Sequence, residues 1–170
     1  MPISNAIDAA LVKIADNFTR NMKAKLDAGN YPHGNADRGA TSIQDATSIG
    51  TVSGNDTTRM IEVSISLKNA PYAAAYEWGS GLHGEKGAKY EIVPKNAPAL
   101  AFPKEDWPNY EPPPEAPDVF VFNVVHHPGI QPKPYIRPAM QDTRQENLQI
   151  AAKEFKTAIL LELKSGRVMK

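Results

Sequence analysis

Apolar residues near the amino terminus recur every three or four positions, which is the period of one face of an α-helix. The stripe consists of Ile3, Ile7, Leu11, Ile14, Phe18, Met22 and Leu26. The opposite face carries the charged residues Lys13, Asp16, Arg20 and Lys23. Ser4 or Asn5 can cap the start, and Gly29 and Asn30 are suited to end the helix. The pattern predicts an amphipathic helix of about seven turns.

Helical spacing returns between residues 138 and 164. The predicted apolar side of this second long helix consists of Met140, Leu148, Ala151 or Ala152, Phe155, Ile159 and Leu163. Pro138 suits the first helical turn, where a missing N–H costs little, and Gly166 is suited to end the helix. We therefore expect long helices towards both ends of the chain.

Alternation with a period of two predicts strands between these helices. One face of "MIEVSISLK", residues 60 to 68, carries Ile61, Val63, Ile65 and Leu67. This pattern predicts a half-buried antiparallel strand. "KYEIVPKNAPALAF", residues 89 to 102, predicts two short extended pieces broken by Pro94 and Pro98, as on the edge of a sheet. "VFVFNVV", residues 119 to 125, predicts a strand covered on both faces.

Two segments are expected to be irregular. Residues 30 to 58 are rich in Gly, Asn, Asp, Ser and Thr, which predicts a loop with a short element around Ile43 and Ile49. Residues 103 to 118 hold six prolines and five acidic residues, which favours polyproline II and a protruding arm. We call this segment the Pro-rich arm. The whole order of elements predicts a single α+β domain, an antiparallel sheet packed by the two long helices.

Composition narrows the classes of function. Lys plus Arg and Asp plus Glu both number 19, so no overall positive field attracts nucleic acid. The absence of cysteine excludes disulfides, thiolate nucleophiles and Cys-based zinc sites, and it fits a reducing cytoplasm. The amino terminus has charged residues where a signal peptide has its apolar core, and no stretch reaches the roughly 18 apolar residues of a membrane span. We expect a protein made in soluble form.

His126 and His127 are the first candidates for an enzymatic site, because two imidazoles with Glu77 or His83 could bind a metal or transfer protons. Adjacent residues of an extended chain point to opposite faces, however, so both imidazoles cannot easily reach one metal. We interpret them as histidines that flank a turn and bond to backbone or lie at a subunit contact. A metal-dependent hydrolase using Glu77, His126 and His127 is the alternative from another class.

The glycine-rich stretch "GSGLHGEKG", residues 79 to 87, resembles a phosphate-binding loop in glycine content alone. It lacks the Walker spacing and the three-glycine dinucleotide fingerprint. Ser80 is not in a nucleophile elbow, because position 78 is Trp where that pattern requires Gly. A flexible loop at an interface is the favoured interpretation.

Glu77 lies among aromatic residues, with Tyr72, Tyr76 and Trp78 close in sequence. Such a cluster is more typical of a core than of a ligand cage. A buried carboxylate in this setting needs a cationic partner, and Arg137 is the candidate. A solvated Glu on a strand edge is the alternative.

Three blocks of sequence together resemble a known family. They are "YAAAYEWGSG" at 72 to 81, "APALAF" at 97 to 102 and "HPGIQPKPYIRPAM" at 127 to 140. In this order they resemble the small tail-component, neck and tail-completion protein family of tailed double-stranded-DNA phages and prophages. The resemblance covers about residues 38 to 145, and the Pro-rich arm looks like an insertion. The motif residues are Tyr72, Glu77, Trp78, Gly79, His127, Pro128, Gly129, Pro134, Tyr135, Arg137 and Pro138.

The resemblance implies a structural virion protein without catalysis or cofactors, located in the neck or tail and, during assembly, in the host cytoplasm. It implies a ring of identical copies, with a hexamer favoured, that joins the DNA-filled head to the tail. The implied partners are an adaptor or head-completion protein above and a tail terminator or tail tube protein below. The resemblance further implies that double-stranded DNA passes through the lumen without specific binding and that no membrane is involved. A tail terminator or minor tail protein at the end of the tail tube is the alternative.

In that setting the prolines of the third block stiffen the approach to the second long helix. Pro128 and Gly129 allow a tight turn, and Pro132 and Pro134 favour an extended chain. Tyr135 and Ile136 are then expected to anchor the helix in the core. The candidates for contacts between copies lie in the Pro-rich arm and in the loop 79 to 89, and they are Gly81, His83, Trp107 and Tyr110.

Overall fold

The computed structural model of the chain describes residues 2–29, 31, 34–35, 40–55, 58–103 and 118–165. The chain divides into two compact units, one formed by Met1–Glu77 with Lys133–Lys170 and the other by Trp78–Pro132. The two ends of the chain therefore fold together, and the middle of the chain forms the second unit. Between its first and last residues, the Pro-rich arm lies outside the described residues.

Three α-helices belong to the described chain: α1 (Pro2–Ala28), α2 (Ala73–Trp78) and α3 (Ile136–Lys164). Both predicted long helices are thereby confirmed. Helices α1 and α3 run antiparallel, because Lys13 pairs with Glu154 at 2.6 Å and Lys25 pairs with Asp142 at 2.5 Å. As the residue number increases along α1, the residue number of its partner on α3 decreases.

The ends of α1 differ in part from the prediction. The helix begins at Pro2, so Ser4 and Asn5 lie inside it and the predicted cap at either residue is wrong. Proline is favourable at the first position of a helix, because it has no N–H to leave unpaired. Gly29 follows the last residue of α1, as predicted, and its N–H bonds to the Lys25 carbonyl at 2.9 Å.

The core of the first unit lies at one end of the α1 and α3 pair. Its buried cluster consists of Met22, Leu26, Tyr31, Ile43, Ala46, Ala70, Ala73, Tyr135 and Ala139. Partly buried residues that pack against it are Phe18, Ile65, Tyr72, Tyr76 and Ile136. The cluster therefore uses the last third of α1, the start of α3 and the chain between them. The predicted apolar stripe of α1 is buried at Met22 and Leu26, whereas Ile3 at its far end is exposed.

Helix α3 buries a different face from the one its sequence predicted. Its buried residues are Ala139, Thr143 and Ala158. Of the residues predicted on the buried apolar side, the exposed large ones are Met140, Leu148, Phe155, Ile159 and Leu163. These short side chains permit a close approach of the α1 and α3 backbones. The Thr143 hydroxyl donates a hydrogen bond to the Ala139 carbonyl at 2.8 Å, so it needs no other partner. The prediction that the large apolar side packs into the fold is wrong.

Short antiparallel ladders complete the first unit. They pair β1 (Gly34–Asn35) with β2 (Ala40–Thr41), β3 (Thr47–Ile49) with β6 (Val63–Ile65), and β4 (Ser53–Gly54) with β5 (Arg59–Met60). The strand predicted over residues 60 to 68 is confirmed only at its centre. Met60 belongs to a different ladder, and Leu67 is exposed in a turn closed by the Ala70 N–H and the Ser66 carbonyl at 2.8 Å.

Two further ladders form the second unit. They pair β7 (Tyr90–Ile92) with β10 (Val125–His127) and β8 (Leu100–Pro103) with β9 (Val119–Phe122). The two extended pieces predicted between residues 89 and 102 are confirmed. The single strand predicted over residues 119 to 125 is wrong, because it is divided between β9 and β10. Val119, Val121 and Val124 are also exposed, so this segment is not covered on both faces.

The predicted α+β class is confirmed, with a long helix from each end of the chain and small antiparallel sheets. The described strands form five separate two-stranded ladders rather than one sheet. Within the described ranges, no helix is both long enough and apolar enough to cross a membrane.

Leu26→Ala tests the position of the core. We expect it to lower the free energy of unfolding by about 3 kcal/mol, because truncating a fully buried aliphatic side chain leaves a cavity. Leu67→Ala is the matched control, and we expect a change below about 0.5 kcal/mol because this leucine is exposed. Urea denaturation measures both values, and equal losses would contradict the core described above.

Candidate functional site

Glu77 is a buried carboxylate at the beginning of α3. Helix α2 directs this side chain into the first unit, and only 1% of the residue is exposed. Its Oε2 accepts hydrogen bonds from the backbone N–H groups of Tyr135 at 2.7 Å and Ile136 at 2.9 Å. Its Oε1 accepts one from the backbone N–H of Arg137 at 3.3 Å. We call these three hydrogen bonds the Glu77 cap.

The Glu77 cap provides hydrogen-bond acceptors for the backbone N–H groups at the start of α3. The first N–H groups of an α-helix have no partner within the helix. After the three N–H groups that bond to Glu77, Pro138 has no N–H, and the Ala139 N–H bonds to the Tyr135 carbonyl at 3.3 Å. Each N–H of this first turn is therefore accounted for, and a negative charge lies at the positive end of the helix dipole. A residue 58 positions away takes the role usually filled by a local Ser, Thr, Asp or Asn.

Arg137 adds an ion pair to the Glu77 cap. Its Nε lies 3.0 Å from Glu77 Oε1, and its Nη2 donates to the Glu77 carbonyl oxygen at 3.0 Å. The predicted pairing of Arg137 with Glu77 is confirmed, and the alternative of a solvated glutamate is wrong. The Arg137 side chain remains 51% exposed. Because exposed ion pairs contribute little, the buried backbone donors provide most of the compensation for burying this charge.

Tyr135 anchors the start of α3 in the core, as predicted. Its ring is buried and lies edge-on to the ring of Tyr31, with centroids 5.6 Å apart. Its hydroxyl donates to the Ala73 carbonyl at 3.3 Å. Burial raises the pKa of the Tyr135 hydroxyl, and the nearby Glu77 carboxylate raises this pKa further. The hydroxyl is therefore held in its neutral form.

Tyr31 and Lys133 hold the chain that leads into the Glu77 cap, and sequence reasoning missed both. The Tyr31 hydroxyl donates to the Lys133 carbonyl at 2.6 Å, and the Lys133 N–H donates to the Tyr76 carbonyl at 2.7 Å. The Lys133 ammonium also lies 4.9 Å from the centre of the Tyr31 ring. The Pro-Lys-Pro sequence could have indicated the role of Lys133. A lysine between two prolines has the one backbone N–H that is available for a hydrogen bond in that extended piece.

A second cluster, within the second unit, joins the segments 80–82 and 128–130. The Ser80 N–H donates to the Ile130 carbonyl at 2.9 Å, and the Ser80 Oγ accepts from the Ile130 N–H at 2.9 Å. The Leu82 N–H donates to the Pro128 carbonyl at 2.8 Å. We call this arrangement the glycine crossing, because the two segments meet at a glycine on each side.

Gly81 and Gly129 leave no room for side chains in the glycine crossing. A Cβ atom on Gly129 would lie 1.9 Å from the Ser80 carbonyl oxygen, and one on Gly81 would lie 2.4 Å from the Pro128 carbonyl oxygen. Both glycines also have positive φ angles, 98° for Gly129 and 59° for Gly81. These positions therefore require glycine for both close approach and backbone conformation.

The two adjacent histidines have different surroundings. His127 accepts a hydrogen bond at Nδ1 from the Gly129 N–H at 2.9 Å, and its ring lies 5.2 Å from that of Tyr90. His126 is exposed, with Nδ1 3.7 Å from a carboxylate oxygen of Glu91. Among the described residues, no three His, Asp or Glu side chains are grouped so that they could hold a metal ion.

The other motif positions have mixed outcomes. Tyr72 packs against the core and its hydroxyl donates to the Thr41 carbonyl. Trp78 is exposed, so its predicted place in an aromatic core is wrong. Gly79 has a φ angle of 81° and a close approach to the His83 carbonyl, which again favours glycine.

The predicted interface residues divide into two groups. Gly81 is part of the glycine crossing, and His83 is exposed at the end of a short 3-10 helix, Gly81–His83. Trp107 and Tyr110 lie outside the described residues. Pro134 is exposed in the extended approach to α3.

Both clusters hold chain segments together. The two Glu77 oxygens are occupied by donors at the start of α3, and the Ser80 hydroxyl bonds to a backbone N–H. The chain matches no family model, no curated protein and no solved structure.

Glu77→Gln tests the Glu77 cap. The amide keeps the shape of the side chain, but it removes the charge and turns an N–H₂ group toward backbone N–H groups. We expect the free energy of unfolding to fall by about 3 kcal/mol. Arg137→Gln should cost about 1 kcal/mol, because its side chain is half exposed. The exposed Glu91→Gln is the matched control, with an expected change below about 0.5 kcal/mol. Urea denaturation measures the three free energies of unfolding. Equal losses for Glu77→Gln and Arg137→Gln would contradict the conclusion that the backbone N–H groups provide most of the stabilisation of the buried carboxylate.

Tyr135 should make the protein sensitive to alkaline pH. Its pKa is raised in the folded state, whereas the unfolded chain has an ordinary tyrosine pKa of about 10. Its contribution to stability is therefore complete below about pH 10 and is lost as the pH rises above that value. The pKa values of Tyr31 and Tyr72 are raised by burial as well. We expect the free energy of unfolding to decrease as the pH rises above about 10, and to decrease less steeply in Tyr135→Phe. An unchanged slope would contradict this role of Tyr135.

Proposed function

We propose that this chain is a structural protein of the neck of a tailed double-stranded-DNA phage. In this proposal, identical copies form a ring, six-fold being favoured, that joins the head to the tail. The protein acts through its shape, between an adaptor or head-completion protein on one side and a tail terminator or tail tube protein on the other. A tail terminator or minor tail protein is the alternative within the same class.

The observation that carries this proposal is the role of the residues behind the family resemblance. In the first and third sequence blocks, Glu77 and Arg137 hold the start of a helix, and Gly129 allows two segments to meet at backbone distance. These residues determine the path of the backbone. Such a use suits a protein whose task is to present rigid surfaces to neighbouring copies.

The balance of charge supports the same role. The 19 basic and 19 acidic residues give a formal net charge of zero at pH 7. A ring around the exit channel of a head has to let DNA slide, and a strongly basic protein would hold the DNA through its phosphates.

The test is genetic and structural, in the phage or prophage that encodes the chain. A stop codon in this reading frame should yield DNA-filled heads and separate tails, and the wild-type chain supplied from a plasmid should restore joined particles. Mass spectrometry should find the chain in purified complete particles, and cryo-electron microscopy should place its ring at the neck. Infectious, tailed particles without the chain would overturn the proposal. Joined particles with tails of uncontrolled length would favour the tail-terminator alternative.

A further inference from the structure

A large apolar surface runs along α3, away from the core of the first unit. Five exposed residues follow one another at intervals of three or four, namely Leu148, Ala152, Phe155, Ile159 and Leu163. We call them the α3 stripe. The stripe continues into an open groove of about 670 Å³ between α1, α3 and the chain around β6. Apolar residues in the groove include Ile14, Phe18, Ile61, Val63, Met140 and Ala151.

The size of this surface is suited to a contact between two proteins. The large side chains exposed on the stripe and at the groove each offer on the order of 100 Å², so the five of them, Met140, Leu148, Phe155, Ile159 and Leu163, offer roughly 500 Å² per copy. A pair that buries this area twice lies at the low end of specific interfaces, where about 800 Å² per partner is standard. Weak, concentration-dependent association is the expected result.

We propose that the α3 stripe binds the α3 stripe of a second copy of this chain, with the two helices antiparallel. The face is complementary to itself in this direction. With the two-fold axis near residue 153, the bulky Phe155 of one copy lies against the small Ala151 and Ala152 of the other. Leu148 then lies near Ile159 of the other copy. Large residues thus meet small or aliphatic ones on both sides of the axis.

Charge favours the antiparallel direction. Arg144 and Glu162 lie at the two ends of the same helical face, about 27 Å apart at 1.5 Å per residue. Neither side chain has an ion-pair or hydrogen-bond partner among the described residues. In the antiparallel pair, Arg144 of each copy faces Glu162 of the other, so two opposite-charge contacts form. In a parallel pair, like charges would face each other.

This inference does not rest on the proposed function. A two-fold contact uses the same surface on both copies and closes on itself, so it does not extend into a cyclic ring. The pair is a state of the free protein. If the pair does not form, the proposed role in the particle still stands. If the proposed role is disproved, the pair can still form.

Sedimentation equilibrium of the full chain, between about 1 and 100 μM, tests the pair. We expect a monomer–dimer equilibrium with a Kd on the order of micromolar. Ile159→Lys should raise this Kd by about 30-fold or more, because it places a charge within the apolar contact. Leu160→Lys is the matched control: the two residues are 50% and 47% exposed, and Leu160 lies on another face of the helix. Its Kd should be unchanged.

Charge reversal tests the direction of the helices. Arg144→Glu and Glu162→Arg should each raise the Kd by about tenfold, and the double variant should return it to near the wild-type value. A double variant as weak as the single variants overturns the antiparallel arrangement. A protein that is monomeric throughout the concentration range, or one whose pairing Leu160→Lys weakens as much as Ile159→Lys, overturns the proposal altogether. Circular dichroism of each variant separates loss of pairing from loss of folding.

Discussion

The burial of the Glu77 carboxylate is the constraint on which the first unit depends. A buried charge requires donors, and here three backbone N–H groups and one guanidinium supply them. Those N–H groups are available only if α3 begins at Ile136, and α3 can begin there without cost only if the carboxylate is present. The helix and the carboxylate therefore specify each other. Glu77 is also the last residue before the chain leaves the first unit, and Lys133 is the first on its return. The Glu77 cap thus joins the two segments of the first unit, which residues 78 to 132 separate in sequence.

The same two sequence blocks meet twice, by different physical means. In the first unit the meeting is electrostatic, between the Glu77 carboxylate and the start of α3. In the second unit it is steric, because Gly81 and Gly129 let two backbones approach where any side chain would collide. A carboxylate and a glycine in one block each require their counterpart in the other block, about 50 residues later along the chain. This mutual requirement gives the spaced motif a structural meaning that is independent of any chemistry on a substrate.

Helix α3 buries the side that carries its smaller residues and exposes many of its large apolar residues. Its inward face is made of Ala139, Thr143 and Ala158, which allow a close approach to α1, while larger side chains such as Leu148 and Leu163 face outward. The outward face is the one that the proposed pair of copies uses. The exposed apolar residues lie beyond the core cluster, so they are available for contacts without loss of the fold.

Local pattern was sufficient for the two long helices, for the extended pieces around β7 and β8, and for the α+β class. Chemical reasoning about a buried carboxylate also named Arg137 as the partner of Glu77, but it left a solvated glutamate open, and the structure decided between the two. Periodicity and composition are properties of neighbouring residues, so they can be recognised without knowledge of the fold. The buried side of α3, the division of residues 119 to 125 between two ladders and the exposure of Trp78 were decided by tertiary structure. These features depend on which segments, far apart in sequence, come to lie against each other. For the same reason the backbone N–H groups that surround Glu77 could not be anticipated, because any residue has such a group and only the fold determines where it points.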